Sequence, residues 1–372
     1  MTLTASLTPA ETAPLPKPGI LDIAAYVAGK SQLAGVAEPI KLSSNENALG
    51  CSPLARAAYL EAVDQLHLYP EGRASRLRAA VAETFDLEPE RLVFGNGSDE
   101  LFSLLNQAYL EPGDGMVCGQ YGFMAYRISA LANQAEVRLA PEPELKLDVD
   151  AVLARVDART KLVFVSNPAN PTGSWNTAEE IRRLHEGLPE HVLLVIDEAY
   201  AEFVCEPDWE SALPLARGAS NLVVTRTFSK IHGLAALRVG FAYAPKGVAE
   251  ALERIRLPFN TSIPAQAAAI AALKDEAHQA ASRDLAQAWR PRLTQAIRGA
   301  GFEVFPSAGN FVLVRFPDPA KSAQAADAYL QARGVIVRPV AAYGLSDCLR
   351  ITVGTPEQNS RLIEVMQAFG AA

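Results

Sequence analysis

An α/β fold is predicted for this chain: a mainly parallel sheet of seven strands between helices, with a smaller α+β domain behind it in sequence. Three observations predict it. At 372 residues the chain exceeds what one hydrophobic core usually serves, so two lobes are expected. Between residues 91 and 244, short apolar runs alternate with helical patterns, as buried parallel strands covered by helices do. After Pro258 the order changes, and a long Ala-rich helical stretch precedes several closely spaced strands.

In chain order, residues 51–67 and 73–86 carry helical periodicity and are joined by "LYPEGR". "RLVF" is a strand, "GNG" a turn, and "SDELFSLLNQAYL" a helix with Ser98 as its N-cap. The next strands are "MVCG" (116–119), "EVRLA" (136–140), "KLVFVS" (161–166), "VLLVID" (192–197), "NLVVT" (221–225) and "GFAYA" (240–244). Residues 264–299 read as Ala-rich helix. They lead into "FEVF", "NFVLVRF", a helix near 320–333, "VIVR", "CLRITVG" and a final helix. No internal repeat is present.

Composition excludes several classes. Hydrophobic content of 49% with 20% charged residues suits a folded enzyme and not a disordered chain. A net charge of −8 argues against a nucleic-acid surface. The 4 cysteines are widely spaced, with no CxxC pair, so neither a disulfide framework nor a zinc ribbon is expected and a reducing cytoplasm fits. The 5 histidines show no metal-binding spacing, so no metal is expected. No run approaches the ~18 apolar residues of a membrane span. The start, "MTLTASLTPAETAPLPKPG", lacks a basic, apolar leader and reads as a flexible arm.

In an open α/β sheet, ligands gather outside the carboxyl ends of strands. "RLVF" is followed by "GNGSDE", whose N–H groups at a helix start suit a phosphate. Alone, it reads more readily as a plain strand-to-helix turn; it lacks the third glycine of GxGxxG, and a Walker loop fails because Ala24 stands where "GKS" would need glycine. "KLVFVS" is followed by "NPANPTG", where Asn170 either offers an amide to a ligand or closes an Asx turn. "VLLVID" ends on Asp197, a carboxylate too costly to bury without a cation or strong donors. "NLVVT" is followed by "RTFSK" and Lys230.

Together these strand ends meet the needs of pyridoxal phosphate. A lysine, Lys230, can bond its aldehyde, and Asp197 can pair with the protonated ring nitrogen. Tyr200 and Asn170 can hold the ring oxygen. Helix N–H groups, hydroxyls and Arg238 can hold the phosphate.

The motifs "LSSNENALG", "LYPEGRASRLR", "GNGSDE", "QYGFMAY", "NPANPTG", "VIDEAY", "TFSKIHGLAALRVG" and "LRITVG" run in order from about Gly19 to the C-terminus. In this order the chain resembles fold-type I pyridoxal-phosphate aminotransferases, most closely the histidinol-phosphate aminotransferases. The resemblance implies a large cofactor-binding domain over 46–258 and a C-terminal small domain over 259–372. Residues 19–45 would join the small domain and form a dimer arm, behind a flexible arm over 1–18.

It also implies roles. Lys230 bonds the cofactor and then moves the substrate proton, with Asp197 and Tyr200 beside it. Tyr121 stacks on the ring, and Asn170 and Tyr200 hold its oxygen. Gly97, Ser98, Asp99, Thr227, Ser229 and Arg238 surround the phosphate, and Tyr69 reaches the phosphate of a neighbouring subunit in a homodimer. Asn45 belongs to the substrate side. Arg350 clamps a substrate carboxylate, Arg338 meets a distal phosphate, and Tyr26 covers the substrate from the partner's arm. The implied reaction is transamination from histidinol phosphate to 2-oxoglutarate, with aromatic transamination or decarboxylation of an amino-acid phosphate as alternatives. Ala25, Ala48, Ala169 and Ala236 depart from the usual pattern, and none removes a catalytic group. About 20 residues ahead of the match are too few for a DNA-binding helix-turn-helix.

Overall fold

The computed structural model describes residues 14–372, so most of the arm expected over 1–18 lies outside the described residues. Among the described residues thirteen strands are formed: β1 (Ile40–Lys41), β2 (Leu92–Gly95), β3 (Gly115–Gly119), β4 (Glu136–Ala140), β5 (Thr160–Ser166), β6 (Leu193–Asp197), β7 (Leu222–Thr227), β8 (Gly240–Tyr243), β9 (Glu303–Val304), β10 (Phe311–Arg315), β11 (Val335–Ile336), β12 (Arg338–Val340) and β13 (Leu345–Thr352).

The large sheet has 7 strands in the order β2-β8-β7-β6-β5-β3-β4. Only β8 runs antiparallel to its neighbours. The side-chain alternation of a strand divides its apolar residues between two cores. On β5, Val163 and Val165 enter one core while Leu162 and Phe164 enter the other. Leu194 and Ile196 of β6 join the first, and Leu193 and Val195 the second. Both faces are therefore covered, which is why these strands read as continuous apolar runs.

The smaller lobe carries the antiparallel sheet β12-β13-β10-β9. β1 pairs in parallel with β11, tying the N-terminal segment to this lobe. Its core gathers Leu42, Leu293, Ile297, Val312, Ile351 and Leu362.

The long helix expected over 264–299 is two helices, Ile263–Lys274 and Glu276–Gly299. Asp275 leaves helical geometry (φ −90°, ψ 69°) and caps the second helix by accepting from His278 N–H at 3.1 Å. The first helix buries Ala265, Ala268, Ala269 and Ala272 in the large-lobe core. Methyl side chains allow its close approach to the helices Pro53–Glu61 and Ser75–Phe85. The large lobe thus continues about 16 residues past the boundary expected at 258, to Lys274. Among the described residues, no helix is long and apolar enough to cross a membrane.

Candidate active site

Strands β5, β6 and β7 are parallel, and they end on Ser166, Asp197 and Thr227. All three line one cavity of about 210 Å³. The same cavity is lined by Tyr26, Asn45, Ser98, Asp99, Asn170, Tyr200, Ser229, Lys230, Arg238, Arg338 and Arg350. Residues scattered over more than 300 positions are gathered there by the strand-end geometry of the sheet and by the small lobe closing over it.

One end of the cavity is built for an anion. Gly97, not Ser98, occupies the N-cap of the helix Ser98–Tyr109, so no side chain covers the first N–H groups. A β-carbon at Gly240 would lie 2.5 Å from Ser98 N, so glycine there lets β8 pass directly behind the helix start. Ser229 accepts from Arg238 Nη1 at 3.5 Å and from the Thr227 hydroxyl at 3.0 Å. Arg238 Nη2 pairs with Asp99 Oδ2 at 2.9 Å.

At the centre stand two charges that lack opposite charges among the described residues. Asp197 is 5% exposed; Tyr126 Oη–H donates to its Oδ2 at 2.7 Å and Thr225 Oγ1–H to its Oδ1 at 3.2 Å. Burial pushes its carboxyl up to about 6, against the pull of these bonds. Its neighbour Glu198 faces the other way and is paired with Arg226 Nη2 at 2.7 Å. Only Asp197 of this acidic pair is left for a cationic ligand group. Lys230 Nζ donates to Ser44 O at 3.3 Å and lies 5.6 Å from the Tyr200 ring centre. Tyr200 Oη accepts from Asn45 Nδ2 at 2.9 Å. Asn45 is held in the left-handed region (φ 55°) by its N–H donating to Thr352 Oγ1 at 2.9 Å.

The small-lobe wall carries two guanidiniums. Arg338 and Arg350 are direct partners across the antiparallel pair β12–β13, and both line the cavity. Like charges so opposed repel, and an anion between them removes the cost. Arg350 is 6% exposed, and its pKa is held down by burial. It donates to Asn170 Oδ1 and, at 2.8 Å, to Ser43 O, while its buried Nε has no partner. Arg338 Nη2 donates to Val27 O at 2.7 Å, with Tyr26 5.8 Å from its guanidinium carbon.

Three expected placements differ, those of Tyr26, Tyr121 and Gly97. Tyr26 lines the cavity of its own chain, because the segment before β1 folds back over Ser43. Tyr121 does not line the cavity: Glu142 Oε2 accepts from its N–H at 2.6 Å and turns it towards a second hollow with Leu145 and Phe305. Phe123 takes the cavity wall instead. Tyr69, expected at a neighbouring subunit's site, is 82% exposed and stacked on Phe259. Gly97 stands behind the wall, against Arg238. The sequence reading missed Phe123, Ser43, Ser44 and Ser166, and Tyr126 and Thr225 behind Asp197. Thr225 was detectable: it lies two residues before Thr227 on one strand and so on the same face.

Residues 37–366 match the family described as Aminotransferase class I and II. The chain belongs to this family. This aminotransferase is 58% identical to histidinol-phosphate aminotransferase 1 of Caulobacter vibrioides, over 95% of this chain and 99% of that protein. It is 50% identical to the histidinol-phosphate aminotransferase of Maricaulis maris, over 95% of this chain and 98% of that protein. Its fold matches the crystal structure of histidinol-phosphate aminotransferase from Sinorhizobium meliloti in complex with pyridoxal-5'-phosphate. That match has a TM-score of 0.89 at 26% identity, covering 97% of this chain and 99% of the other.

The residues of this aminotransferase fit that cofactor on their own chemistry. A buried carboxylate without a cation, a lysine without a carboxylate and an anion cradle share one cavity.

Proposed function

We propose that this aminotransferase carries pyridoxal phosphate in the cavity and transfers the amino group of histidinol phosphate to 2-oxoglutarate. The products are imidazole acetol phosphate and glutamate, a step of histidine biosynthesis. The observation that carries the reading is the opposed pair Arg338 and Arg350 in the cavity of Lys230 and Asp197. Histidinol phosphate has a phosphate and no carboxylate, whereas 2-oxoglutarate has two carboxylates. Two guanidiniums on one wall serve both anions in turn.

Bound in the cavity, the cofactor supplies an aldehyde that takes up the amine and an electron-poor ring that accepts electrons released at the substrate carbon. Ser98, Thr227, Ser229, Arg238 and the first N–H groups of the helix Ser98–Tyr109 hold its phosphate. Asp197 keeps the ring nitrogen protonated, and Asn170 and Tyr200 hold the ring oxygen. Phe123, on the cavity wall, would take the ring-stacking role expected of Tyr121. Lys230 Nζ removes the proton from the amine-bearing carbon of the substrate and redelivers it. Tyr26 and Asn45 exclude water around the substrate.

The active unit in this reading is a homodimer in the cytoplasm. Leu60, Leu66, Leu68, Tyr69, Leu257 and Phe259 are exposed apolar side chains of the kind that a second copy covers, and Tyr69 would then reach the partner's phosphate site. The 4 free cysteines accord with a reducing compartment.

A half-reaction screen tests the assignment. The holoenzyme is mixed with histidinol phosphate, phenylalanine, tyrosine or glutamate, and the change in cofactor absorbance is followed. Histidinol phosphate should give the highest rate constant over dissociation constant among the amine donors other than glutamate. A higher value for phenylalanine would replace the reading with aromatic transamination, and carbon dioxide release would replace it with decarboxylation.

A further inference from the structure

Asp197 is the buried charge on which the proposed site turns, and among the described residues no cationic side chain pairs with it. Two hydroxyls take that place. The Tyr126 Oη–H donates to Oδ2 at 2.7 Å and the Thr225 Oγ1–H to Oδ1 at 3.2 Å, one hydroxyl for each carboxylate oxygen, with the Ala199 N–H as a further, backbone donor. Thr225 is the direct partner of Asp197 across the parallel pair β6–β7 and is fully buried. Neither hydroxyl residue lines the cavity.

Tyr126 cannot swing away. Its ring is fully buried, stacked on Phe164 (centroids 4.8 Å apart, 13° between planes) and met edge-on by Phe102 at 4.8 Å and Phe123 at 5.7 Å. Phenylalanine would fill this aromatic box equally well. The hydroxyl adds nothing to packing, and burying it without a partner is unfavourable, so its purpose lies in the bond to Asp197.

We infer that Tyr126 and Thr225 are positioning residues that hold the Asp197 carboxylate ionised and aimed into the cavity, so that it grips a protonated ring nitrogen. The inference rests on the reading of the cavity as a pyridoxal phosphate site. It assigns the two hydroxyls to one atom of the cofactor, which makes it separable from a general role in folding. Hydrogen bonds to a charged group are the strong ones, and the phenol, with the shorter bond, carries the larger share.

The test uses apoenzyme titrated with pyridoxal phosphate and with its analogue in which ring N–H is replaced by C–H. Tyr126→Phe should weaken binding of the natural cofactor on the order of tenfold or more, and Thr225→Val by a smaller factor. Neither should change affinity for the carbon analogue beyond about twofold, because that ring offers Asp197 no proton. Equal weakening for both ligands would mean a structural role, and unchanged binding of both would mean no role; either result overturns the inference. Thr225→Val reads the same discrimination should Tyr126→Phe fold poorly. Asp197→Asn is the control for the site: it should abolish the preference for the natural cofactor. A retained preference there would overturn the reading of the cavity and this inference with it.

Discussion

A β-carbon at Gly97 would lie 2.5 Å from Nη2 of Arg238. Gly97 also has φ 76° and ψ 173°, a region open essentially to glycine alone. The backbone turn that opens the helix Ser98–Tyr109 and the guanidinium of the anion cradle therefore share one space. Gly97→Ala should lower stability by about 1–3 kcal/mol through backbone strain. It should also displace Arg238 and weaken cofactor binding about tenfold. Arg238→Ala measured alone and with Gly97→Ala separates the two effects. If displacement is the cause, the double variant binds no more weakly than Arg238→Ala. Full additivity in cofactor affinity would refute the shared-space account.

Arg338 faces Arg350 across β12–β13 but, unlike it, is only half-buried and rests on Val27 O and Tyr26. Arg338→Ala should cut kcat/KM for histidinol phosphate on the order of 10- to 100-fold, the worth of charge-assisted bonds to phosphate. Turnover of phenylalanine, which lacks the phosphate, should fall less than about threefold, since only packing against Tyr26 is lost. Similar losses on both donors would defeat the phosphate role. Arg338→Lys, which keeps the charge without the planar fork, should recover part of the activity.

Much of the fold and site was legible because strand ends are marked in the sequence. Apolar runs stop where the chain leaves the sheet, and the polar residue at each stop, as at Asp197 and Thr227, faces the crevice. The sheet's two cores follow from alternation along β5 and β6. Legibility fails where a loop decides direction. Tyr121 and Phe123 are two aromatics on one turn, and the buried Glu142 carboxylate, 21 residues on, accepts from the Tyr121 N–H. No local pattern carries that information. The helix at 263–274 was assigned to the wrong lobe because an alanine face can pack on either; the nearness of Pro53–Glu61 decides it. Tyr26 was assigned to the partner because the path of the segment before β1 depends on long-range bonds such as Ser43 Oγ–H to Lys30 O at 3.0 Å.

His232 sits two residues after Lys230 yet is 4% exposed, packed on Phe228 with ring centres 4.9 Å apart, and its Nδ1 has no partner among the described residues. Burial, with Arg226 nearby, pushes its pKa down to about 3 from 6.5. The unfolded chain binds the proton first as pH falls, so stability drains away from about pH 6.5 down to about pH 3. His232→Phe should flatten this slope by up to about 1.4 kcal/mol per pH unit in that window and leave stability at pH 8 within about 1 kcal/mol. Urea unfolding midpoints of both proteins across pH 4.5–8 check it. Parallel curves would show that His232 does not titrate with unfolding.

Asp197 titrates in the opposite sense. Its folded pKa of about 6 lies above the ordinary 3.8, so the folded chain holds the proton more tightly than the unfolded one. Stability falls as pH rises from about 4 to about 6, and above that the ionised carboxylate costs the apoenzyme about 3 kcal/mol. Asp197→Asn removes the charge and keeps an acceptor oxygen for one of the Tyr126 and Thr225 hydroxyls, while its NH2 donates to the other. The apo variant should melt higher than apo wild type at pH 7.5, and the difference should close at pH 4. Saturating pyridoxal phosphate should reverse the order at pH 7.5, because a protonated ring nitrogen supplies the missing cation to wild type alone. Thermal unfolding of both proteins, with and without cofactor, reads all three comparisons. An apo variant less stable than wild type at pH 7.5 would mean that the carboxylate is already compensated within the protein, and Asp197 would then be structural and not the group awaiting a cationic ligand.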